Sequence, residues 1–179
     1  MQLGFYFDQT RCIGCHTCVV ACKDWNDLPP GLVNWRRVDT REQGKFPHVK
    51  VSHMSLSCNH CRQPKCAEAC PENAIGKREE DGIVFIENEK CNGCRLCESA
   101  CPYGAIQFRP DDGSLAEKCT FCVDRLENNE APVCVSACPM RALEFGDLDE
   151  LSRRPDVTTR TDYLPDSLET TASLLLKAK

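Results

Sequence analysis

The cysteines of this chain constrain its fold more than any other feature. Sixteen of its 179 residues are cysteine, about 9% of the chain, and a chain this rich in cysteine is organised around what its sulfur atoms bind. The cysteines fall into four groups of four. Each group begins with a C-x2-C step and ends with a C-x3-C step, while the gap between these steps is two, four, two or eleven residues. One cysteine pattern is therefore repeated four times along the chain.

The four groups carry the spacing of iron-sulfur ligands. Group one is Cys12, Cys15, Cys18 and Cys22; group two is Cys58, Cys61, Cys66 and Cys70; group three is Cys91, Cys94, Cys97 and Cys101; group four is Cys119, Cys122, Cys134 and Cys138. Proline follows the last cysteine as Pro71, Pro102 and Pro139, and Lys23 takes that place in group one. In two-cluster bacterial ferredoxins the run C-x2-C-x2-C-x3-C-P holds [4Fe-4S] clusters, and its fourth cysteine ligates the other cluster. The sequence therefore predicts four [4Fe-4S] clusters.

Zinc and disulfides are the alternative uses of these thiols. Paired C-x2-C steps also occur in zinc ribbons, but zinc sites of that kind leave the third cysteine of each compact group unexplained. Disulfide frameworks are typical of secreted proteins, and residues 1–8 show neither the basic nor the apolar segment of an export signal. We therefore expect thiols that meet a reducing cytosol and bind metal.

Several functional classes are not expected. The net charge is −5 and the basic residues are scattered, so we expect no nucleic-acid partner. No apolar run approaches the roughly 18 residues that cross a bilayer, so any membrane association is expected to come through a partner. The sequence contains no nucleophile constellation, glycine-rich nucleotide loop or second cofactor motif. We therefore expect an electron-transfer protein without catalysis of its own.

Short strands and helices are predicted around the cysteine loops. The turn-forming pair Asp81-Gly82 separates two apolar runs and predicts a β-hairpin over residues 74–87. A weaker hairpin is predicted around Asp112-Gly113, with further strands at residues 5–7, 49–51 and 142–145. Each C-x3-C step is expected to open a helix, and the helix of group one is expected to continue until Pro29. All strands are expected to be short.

Histidines and basic side chains near the cysteines form a second set of candidates. The histidines are expected at the surface or around the clusters rather than as iron ligands, because sixteen thiolates already satisfy four clusters. They are His16, His48, His53 and His60. The basic residues either stabilise anionic clusters and raise their potentials or form ordinary solvated surface, and the sequence leaves both interpretations open. They are Lys23, Lys65, Arg95, Lys118 and Arg141.

Several segments resemble a known family. They are residues 4–8 (GFYFD) with the loop of group one, 56–61 (LSCNHC), 91–95 (CNGCR), 100–105 (ACPYGA) and 134–143 (CVSACPMRAL). On these segments the chain is similar to the four-cluster iron-sulfur subunits of molybdopterin oxidoreductases of the dimethyl sulfoxide reductase type. The similarity extends to about residue 150 and fades in the tail.

The resemblance implies an α+β fold of two intertwined bacterial-ferredoxin-like domains. Groups one and four would share the first domain, residues 1–52 with 115–150, and groups two and three the second, residues 53–114. The implied ligand sets are Cys12, Cys15, Cys18 with Cys138; Cys119, Cys122, Cys134 with Cys22; Cys58, Cys61, Cys66 with Cys101; and Cys91, Cys94, Cys97 with Cys70. Residues 151–179 would form a tail whose leucines, Leu174 to Leu176, are expected to pack on their own domain rather than on a partner.

The resemblance also implies partners. A catalytic subunit would carry a molybdenum- or tungsten-pterin cofactor, and a second redox subunit, either a membrane anchor reactive with quinone or a flavoprotein, would exchange electrons at the other end. The chain would lie in the cytoplasm, or be attached to the membrane or exported together with such a partner. Two alternatives stay open: a subunit of a soluble tungsten or molybdenum aldehyde or formate oxidoreductase, and a free polyferredoxin.

Overall fold

The secondary structure combines short helices with strands from both ends of the chain. The computed structural model describes residues 1–110, 115–165 and 170–179. Along these residues the elements are β1 (Leu3–Asp8), α1 (Thr17–Trp25), β2 (Arg36–Lys45), β3 (His48–Ser57), α2 (Lys65–Glu68), β4 (Ile75–Lys77), β5 (Val84–Ile86), α3 (Leu96–Ala100), β6 (Gln107–Phe108), β7 (Ala116–Glu117), α4 (Val123–Glu127), α5 (Val133–Ser136), β8 (Leu143–Asp147), α6 (Leu148–Leu151) and β9 (Leu174–Lys177). The predicted mixture of small helices and strands is confirmed.

A three-stranded sheet joins the two ends of the chain. β1 lies in its middle, antiparallel to β8 and parallel to β9. The strands predicted at residues 5–7 and 142–145 are therefore confirmed. In β9, Leu174, Leu175 and Leu176 are buried against β1 and its surroundings. The tail leucines thus pack on their own chain, as expected.

The two predicted hairpins are present. β4 pairs antiparallel with β5, with Ile75 opposite Ile86, which confirms the hairpin over residues 74–87. β6 pairs antiparallel with β7. The turn predicted at Asp112-Gly113 lies outside the described residues. These small hairpins link consecutive cysteine loops.

A long hairpin contradicts the expectation that all strands are short. β2 and β3 have ten residues each and pair in register from Arg36 opposite Ser57 to Lys45 opposite His48. Residues 40–51 are exposed, so this half of the hairpin has no buried face. The alternation of apolar and polar residues that predicts a strand is therefore missing there. The two strands are paired by backbone hydrogen bonds, which form with most side chains. The strand predicted at residues 49–51 is therefore part of a much longer element.

The first helix ends earlier than predicted. α1 ends at Trp25, before Pro29 is reached. The side-chain amide of Asn26 donates a hydrogen bond to the carbonyl oxygen of Cys22 at 2.7 Å, and Asp27 takes a left-handed conformation with φ of 47°. Both features stop the helical hydrogen-bond ladder without proline.

The apolar core is divided between the central sheet and the small hairpins. Phe5 of β1 stacks on Phe121 with ring centroids 4.3 Å apart, and Met54 is buried in the same part of the core. A separate core contains Val84 and Ile106. Cysteine sulfurs line both parts, so the core and the cysteine loops are one packing unit. Among the described residues, no helix combines the length and apolar character that crossing a bilayer requires.

Candidate metal centres

We group the sixteen cysteines into the four ligand sets that the family resemblance implies. All sixteen are free thiols. We name the sets site I (Cys12, Cys15, Cys18, Cys138), site II (Cys22, Cys119, Cys122, Cys134), site III (Cys58, Cys61, Cys66, Cys101) and site IV (Cys70, Cys91, Cys94, Cys97). Each site combines three cysteines of one group with the last cysteine of another.

Sites I and IV each surround a small cavity. The cavity of site I is lined by all four of its thiols, together with the apolar side chains of Phe7 and Leu143. The cavity of site IV is likewise lined by its four thiols, with Ile75 and Phe108 among the other lining residues. Among the described residues, no three Cys, His, Asp or Glu side chains meet closely enough to hold a single metal ion.

Site II is recognised by the charges that act on its thiols. Burial raises the pKa of Cys22, and negative charge on Cys119 raises it further, with smaller contributions from Cys134 and Cys122. These three thiols lie about a hundred residues away in the sequence. Cys22 is therefore close to the loop of group four.

Site III shows the same crossing between groups two and three. Burial raises the pKa of Cys66 to about 12, and charge on Cys58, Cys101 and Cys61 contributes in the same direction. In site IV, burial and then charge on Cys91 raise the pKa of Cys97 to about 11. Buried thiols with raised pKa values must lose their protons when they bind metal, because the thiolate is the ligand.

Pairs of short helices bring the crossed cysteines together. α1 packs against α5, and α2 packs against α3. α1 carries Cys18 and Cys22, whose sulfurs belong to sites I and II. Cys134 lies on α5, and Cys138 follows shortly after that helix. The same arrangement holds for Cys66 and its neighbours on α2 and α3, so each helix pair serves two sites.

A turn after the last cysteine of three groups donates a hydrogen bond to that cysteine. The backbone N–H groups of Ala74, Ala105 and Ala142 donate to the sulfurs of Cys70, Cys101 and Cys138 at 3.3, 3.5 and 3.3 Å. The residue before each alanine, Asn73, Gly104 or Arg141, has a positive φ. All three alanines are buried, which leaves little room for a larger side chain. The pattern C-P-x-x-A is visible in the sequence and is the signal that sequence reasoning missed.

In group one the hydrogen bond to the sulfur of the last cysteine comes from a side chain. Its last cysteine is followed by Lys23 rather than proline, and α1 continues past it. The amide of Asn26 lies 3.8 Å from the sulfur of Cys22 and donates to it as well as to the backbone carbonyl of that residue. Hydrogen bonds to cluster sulfurs are one of the ways in which proteins set reduction potentials.

The donor set fits iron-sulfur clusters. Four soft thiolates per site suit iron-sulfur clusters or zinc among the metals found in proteins. The thiols of sites I and IV line one cavity each, and N–H donors point at the sulfurs as they do around anionic clusters.

Among the basic residues near the cysteines, Lys118 is deeply buried. It is 3% exposed, and its ammonium donates hydrogen bonds to the carbonyl oxygens of Val84 and of Cys119, the latter at 3.0 Å. Its charge lowers the pKa values of Cys58 and Cys66, in opposition to their burial. Lys118 thus lies between site II, to which Cys119 belongs, and site III.

The other four basic candidates make local contacts. The ammonium of Lys23 donates to the carbonyl oxygens of Pro29 and Gly31. Lys65 and Arg95 form ion pairs with Glu68 and Glu98, three residues further along the sequence. Arg141 is exposed. The solvated-surface interpretation suits these residues better than it suits Lys118.

A buried arginine that sequence reasoning missed lies beside sites I and II. Arg36, the first residue of β2, is 2% exposed, although no cysteine is near it in the sequence. Burial alone would lower its pKa, but the charges of Cys134, Cys119 and Cys18 outweigh burial and raise it. No sequence signal distinguishes Arg36 from its neighbour Arg37.

His60 lies in the interior between two ligands of site III. Its ring is fully buried and packs edge-on against Phe121 with centroids 5.2 Å apart. Nδ1 accepts a hydrogen bond from the backbone N–H of Val84 at 3.1 Å. Burial lowers its pKa well below the ordinary value, and the charges of Lys118 and Arg36 act in the same direction. His60 is therefore an interior packing residue, while His16 and His48 are exposed.

Comparison with known proteins decides the family. Residues 49–148 match a family described as 4Fe-4S dicluster domain, and residues 11–74 match a second family of the same description. The sequence is 41% identical to the B subunit of the anaerobic dimethyl sulfoxide reductase of Escherichia coli, over 98% of this protein and 88% of that subunit. The protein belongs to the iron-sulfur subunits of the dimethyl sulfoxide reductase type. The resemblance inferred from the cysteine loops is thereby confirmed.

Other members of the family differ in the complex that they serve. The sequence is 40% identical to the B subunit of the anaerobic dimethyl sulfoxide reductase of Haemophilus influenzae, over 98% of this protein and 89% of that subunit. It is 41% identical to the thiosulfate reductase electron transfer subunit PhsB of Salmonella typhi, over 83% of this protein and 78% of that subunit. The shared property of these iron-sulfur subunits is electron transfer within an oxidoreductase.

This iron-sulfur subunit exposes its sites unequally. Cys15 of site I and Cys94 of site IV are exposed, whereas all four thiols of site II are buried. Large apolar side chains lie in the open beside the exposed thiols, with Ile13 58% exposed at site I and Leu96 51% exposed at site IV. Sites I and IV are therefore the most exposed of the four sites.

Proposed function

We propose that the chain holds one [4Fe-4S] cluster in each of sites I, II, III and IV, and relays electrons between a catalytic subunit and a second redox partner. The proposal is supported by the four thiols around each of the cavities of sites I and IV and by the charge interactions within sites II and III. When bound, the clusters supply reversible one-electron carriers. The chain holds each by thiolates, donates hydrogen bonds to the sulfurs and limits their contact with water, which are the means by which proteins set cluster potentials.

The crossed ligand sets correspond to two intertwined ferredoxin-like domains. In this proposal residues 1–52 with 115–150 hold sites I and II, residues 53–114 hold sites III and IV, and residues 151–179 form a tail that closes the central sheet. The packing of α1 on α5 and of α2 on α3 supports the pairing, because each contact joins the groups that exchange their last cysteines. The parallel pairing of β9 with β1 supports the role of the tail.

The four sites are proposed to form a path in the order I, II, III, IV. Sites I and II share α1, and sites III and IV share α2 and α3. The step between the two pairs is supported by Cys119 of site II, whose charge contributes to raising the pKa of Cys58 of site III after the larger effect of burial. Electrons would enter and leave at the exposed ends of this path.

The proposed partners follow from the relatives. Their names describe subunits of dimethyl sulfoxide and thiosulfate reductases, which supports a catalytic subunit with a molybdenum- or tungsten-pterin cofactor at one end of the path. The second redox partner at the other end is a membrane anchor or a flavoprotein. Catalysis belongs to the pterin subunit in this proposal. The chain lies in the cytoplasm, or reaches the membrane or is exported with its partners.

The test is purification of the native complex under anaerobic conditions. We expect about 16 iron and about 16 acid-labile sulfide per chain, as four cubane clusters require, together with a co-eluting pterin-containing subunit. Stoichiometric zinc with little iron would contradict the cluster assignment. A fully loaded chain that elutes without a catalytic subunit would favour a free polyferredoxin, and an aldehyde- or formate-oxidising partner would favour the soluble alternative.

A further inference from the structure

Arg36 is a buried cation whose position is fixed by two hydroxyl groups. Its Nη1 donates to Ser55 Oγ at 3.0 Å, and its Nη2 donates to Ser57 Oγ at 2.9 Å. The guanidinium also lies over the ring of Phe5, 4.8 Å from its centroid. Ser57 is the register partner of Arg36 in the β2–β3 hairpin, and Ser55 lies on the same face two residues earlier. The hairpin therefore presents a preorganised fork that holds the guanidinium in one place.

The groups that face this cation are thiols. Its largest favourable charge interactions are with Cys134, Cys119, Cys18 and Cys22, of which Cys18 belongs to site I and the others to site II. The charge of Arg36 also lowers the pKa of Cys134, in opposition to the larger effect of burial. Ser55 connects it to site I, because its hydroxyl lies 3.5 Å from the sulfur of Cys18. A buried cation needs an opposite charge, and here the cysteine sites occupy the place that a carboxylate usually takes.

We propose that Arg36 is the shared counter-charge of sites I and II and raises the reduction potentials of the clusters bound there. The inference rests on the proposed function, since it requires clusters in these sites. Reduction adds negative charge to a cluster, so a fixed cation close to it stabilises the reduced form more than the oxidised form. The hydroxyl fork prevents the guanidinium from moving toward only one of the two sites. Arg36 is thus a tuning residue for the first half of the path.

The effect is confined to two of the four sites. Lys118 is a buried cation whose charge acts on Cys58 and Cys66 of site III, and it has its own backbone acceptors. The charges acting on the thiol of Cys97 in site IV come from its own set rather than from Arg36. Removal of the guanidinium charge is therefore expected to move two midpoint potentials and leave the remaining two in place.

The experiment compares three variants of the full chain, purified anaerobically with its clusters. Arg36→Gln removes the charge, Arg36→Lys keeps a charge but loses the fork, and Arg41→Gln removes a charge from an exposed position on the same strand, where the guanidinium lies over Tyr163. Iron content is measured first. The four one-electron midpoint potentials are then measured by redox titration, in which electron paramagnetic resonance monitors the reduction of each cluster.

In Arg36→Gln we expect two of the four midpoint potentials to fall by about 59 mV or more. For one electron this corresponds to at least a tenfold decrease in the equilibrium constant for reduction. We expect Arg36→Lys to recover most of this change and Arg41→Gln to match the wild type. If Arg36→Gln does not assemble its clusters, an assembled Arg36→Lys with wild-type potentials supports the role of charge.

Three results would overturn the inference. They are unchanged potentials in a loaded Arg36→Gln, potentials in Arg36→Lys that fall as far as in Arg36→Gln, and failure of both variants to assemble, which would mean that Arg36 acts through packing alone. Failure of the proposed function itself looks different, because the wild-type protein would then lack four one-electron transitions.

Discussion

Cys18 and Cys22 lie one helical turn apart on α1 and face different cysteine sets. A separation of four residues corresponds to about 6 Å along a helix axis, so the helix presents both sulfurs on roughly the same side. The sulfur of Cys18 lines the cavity of site I, whereas the negative charges that act on Cys22 come from the thiols of group four. The helix is therefore a short covalent link between sites I and II, and Cys134 and Cys138 give a second link of the same length.

Replacement of Cys22 by serine tests the crossed ligation. We expect Cys22→Ser to lose or convert the cluster of site II, whose other ligands lie about a hundred residues away, because only that site loses a thiolate. Site I, whose ligands Cys12, Cys15 and Cys18 belong to the same group as Cys22, should keep its cluster. The measurement is iron content together with the electron paramagnetic resonance signals of the remaining clusters.

Cys70→Ser is the matched variant in the other half of the chain. It should perturb the cluster held with Cys91, Cys94 and Cys97 and leave the cluster of site III largely intact. The crossed arrangement is refuted if Cys22 proves to bind the same cubane as Cys12, Cys15 and Cys18.

The ammonium of Lys118 is expected to set the potential of a central site. Lys118→Met removes a buried charge whose influence reaches Cys58 and Cys66, and we expect the site III potential to fall by about tenfold in the reduction equilibrium, or about 59 mV. The control is Lys90→Met. Both lysines directly precede the first cysteine of a group, but Lys90 is exposed and paired with Glu87. Equal potentials in the Lys118→Met protein and its control would show that burial of the ammonium has no electrostatic role.

The family was predictable from sequence because its cysteines recur at fixed spacing within recognisable segments, while the crossed ligand sets stay a prediction. The hairpin over residues 74–87 followed from Asp81-Gly82 between two apolar runs. Arg36 was not predictable, because its burial depends on the pairing of β2 with β3, and the exposed half of that hairpin hides the strand pattern. The N–H donors of Ala74, Ala105 and Ala142 depend on a positive φ that the letters C-P-x-x-A only suggest.

The tail shows a second reason why part of the fold was not predicted from the sequence. Leu174 to Leu176 were expected to pack on their own domain, and they do pack on their own chain, but no strand was predicted there. The pairing partner of β9 is β1, more than 160 residues earlier in the sequence, and a short parallel pairing over such a distance has no local signal. Side-chain burial was therefore easier to predict than backbone pairing.

The contribution of the tail strand to stability can be measured with one leucine. Leu176 is 3% exposed and packs in the core that contains Phe5 and Phe7. We expect Leu176→Ala to lower the free energy of unfolding by about 2–5 kcal/mol, the usual cost of such a truncation. The measurement is loss of cluster absorbance across a urea series under anaerobic conditions.

Leu32→Ala is the control, because Leu32 is 89% exposed. It should change the stability by less than about 0.5 kcal/mol. A Leu176→Ala protein as resistant to urea as this control would mean that β9 does not contribute to the cooperative fold.

Removal of the clusters is expected to unfold the chain. Nine of the sixteen cysteines are buried, and their sulfurs line the same cores as the apolar side chains. Without clusters these thiols surround empty space between short helices, and the free energy of metal binding that ordered them is lost. We expect the cooperative urea-unfolding transition, monitored by circular dichroism, to disappear after oxidation and chelation. Anaerobic reconstitution with iron and sulfide should restore that transition. The prediction is wrong if an iron-free protein keeps a native-like spectrum and a cooperative transition. The apolar contacts, and not the clusters, would then stabilise this fold.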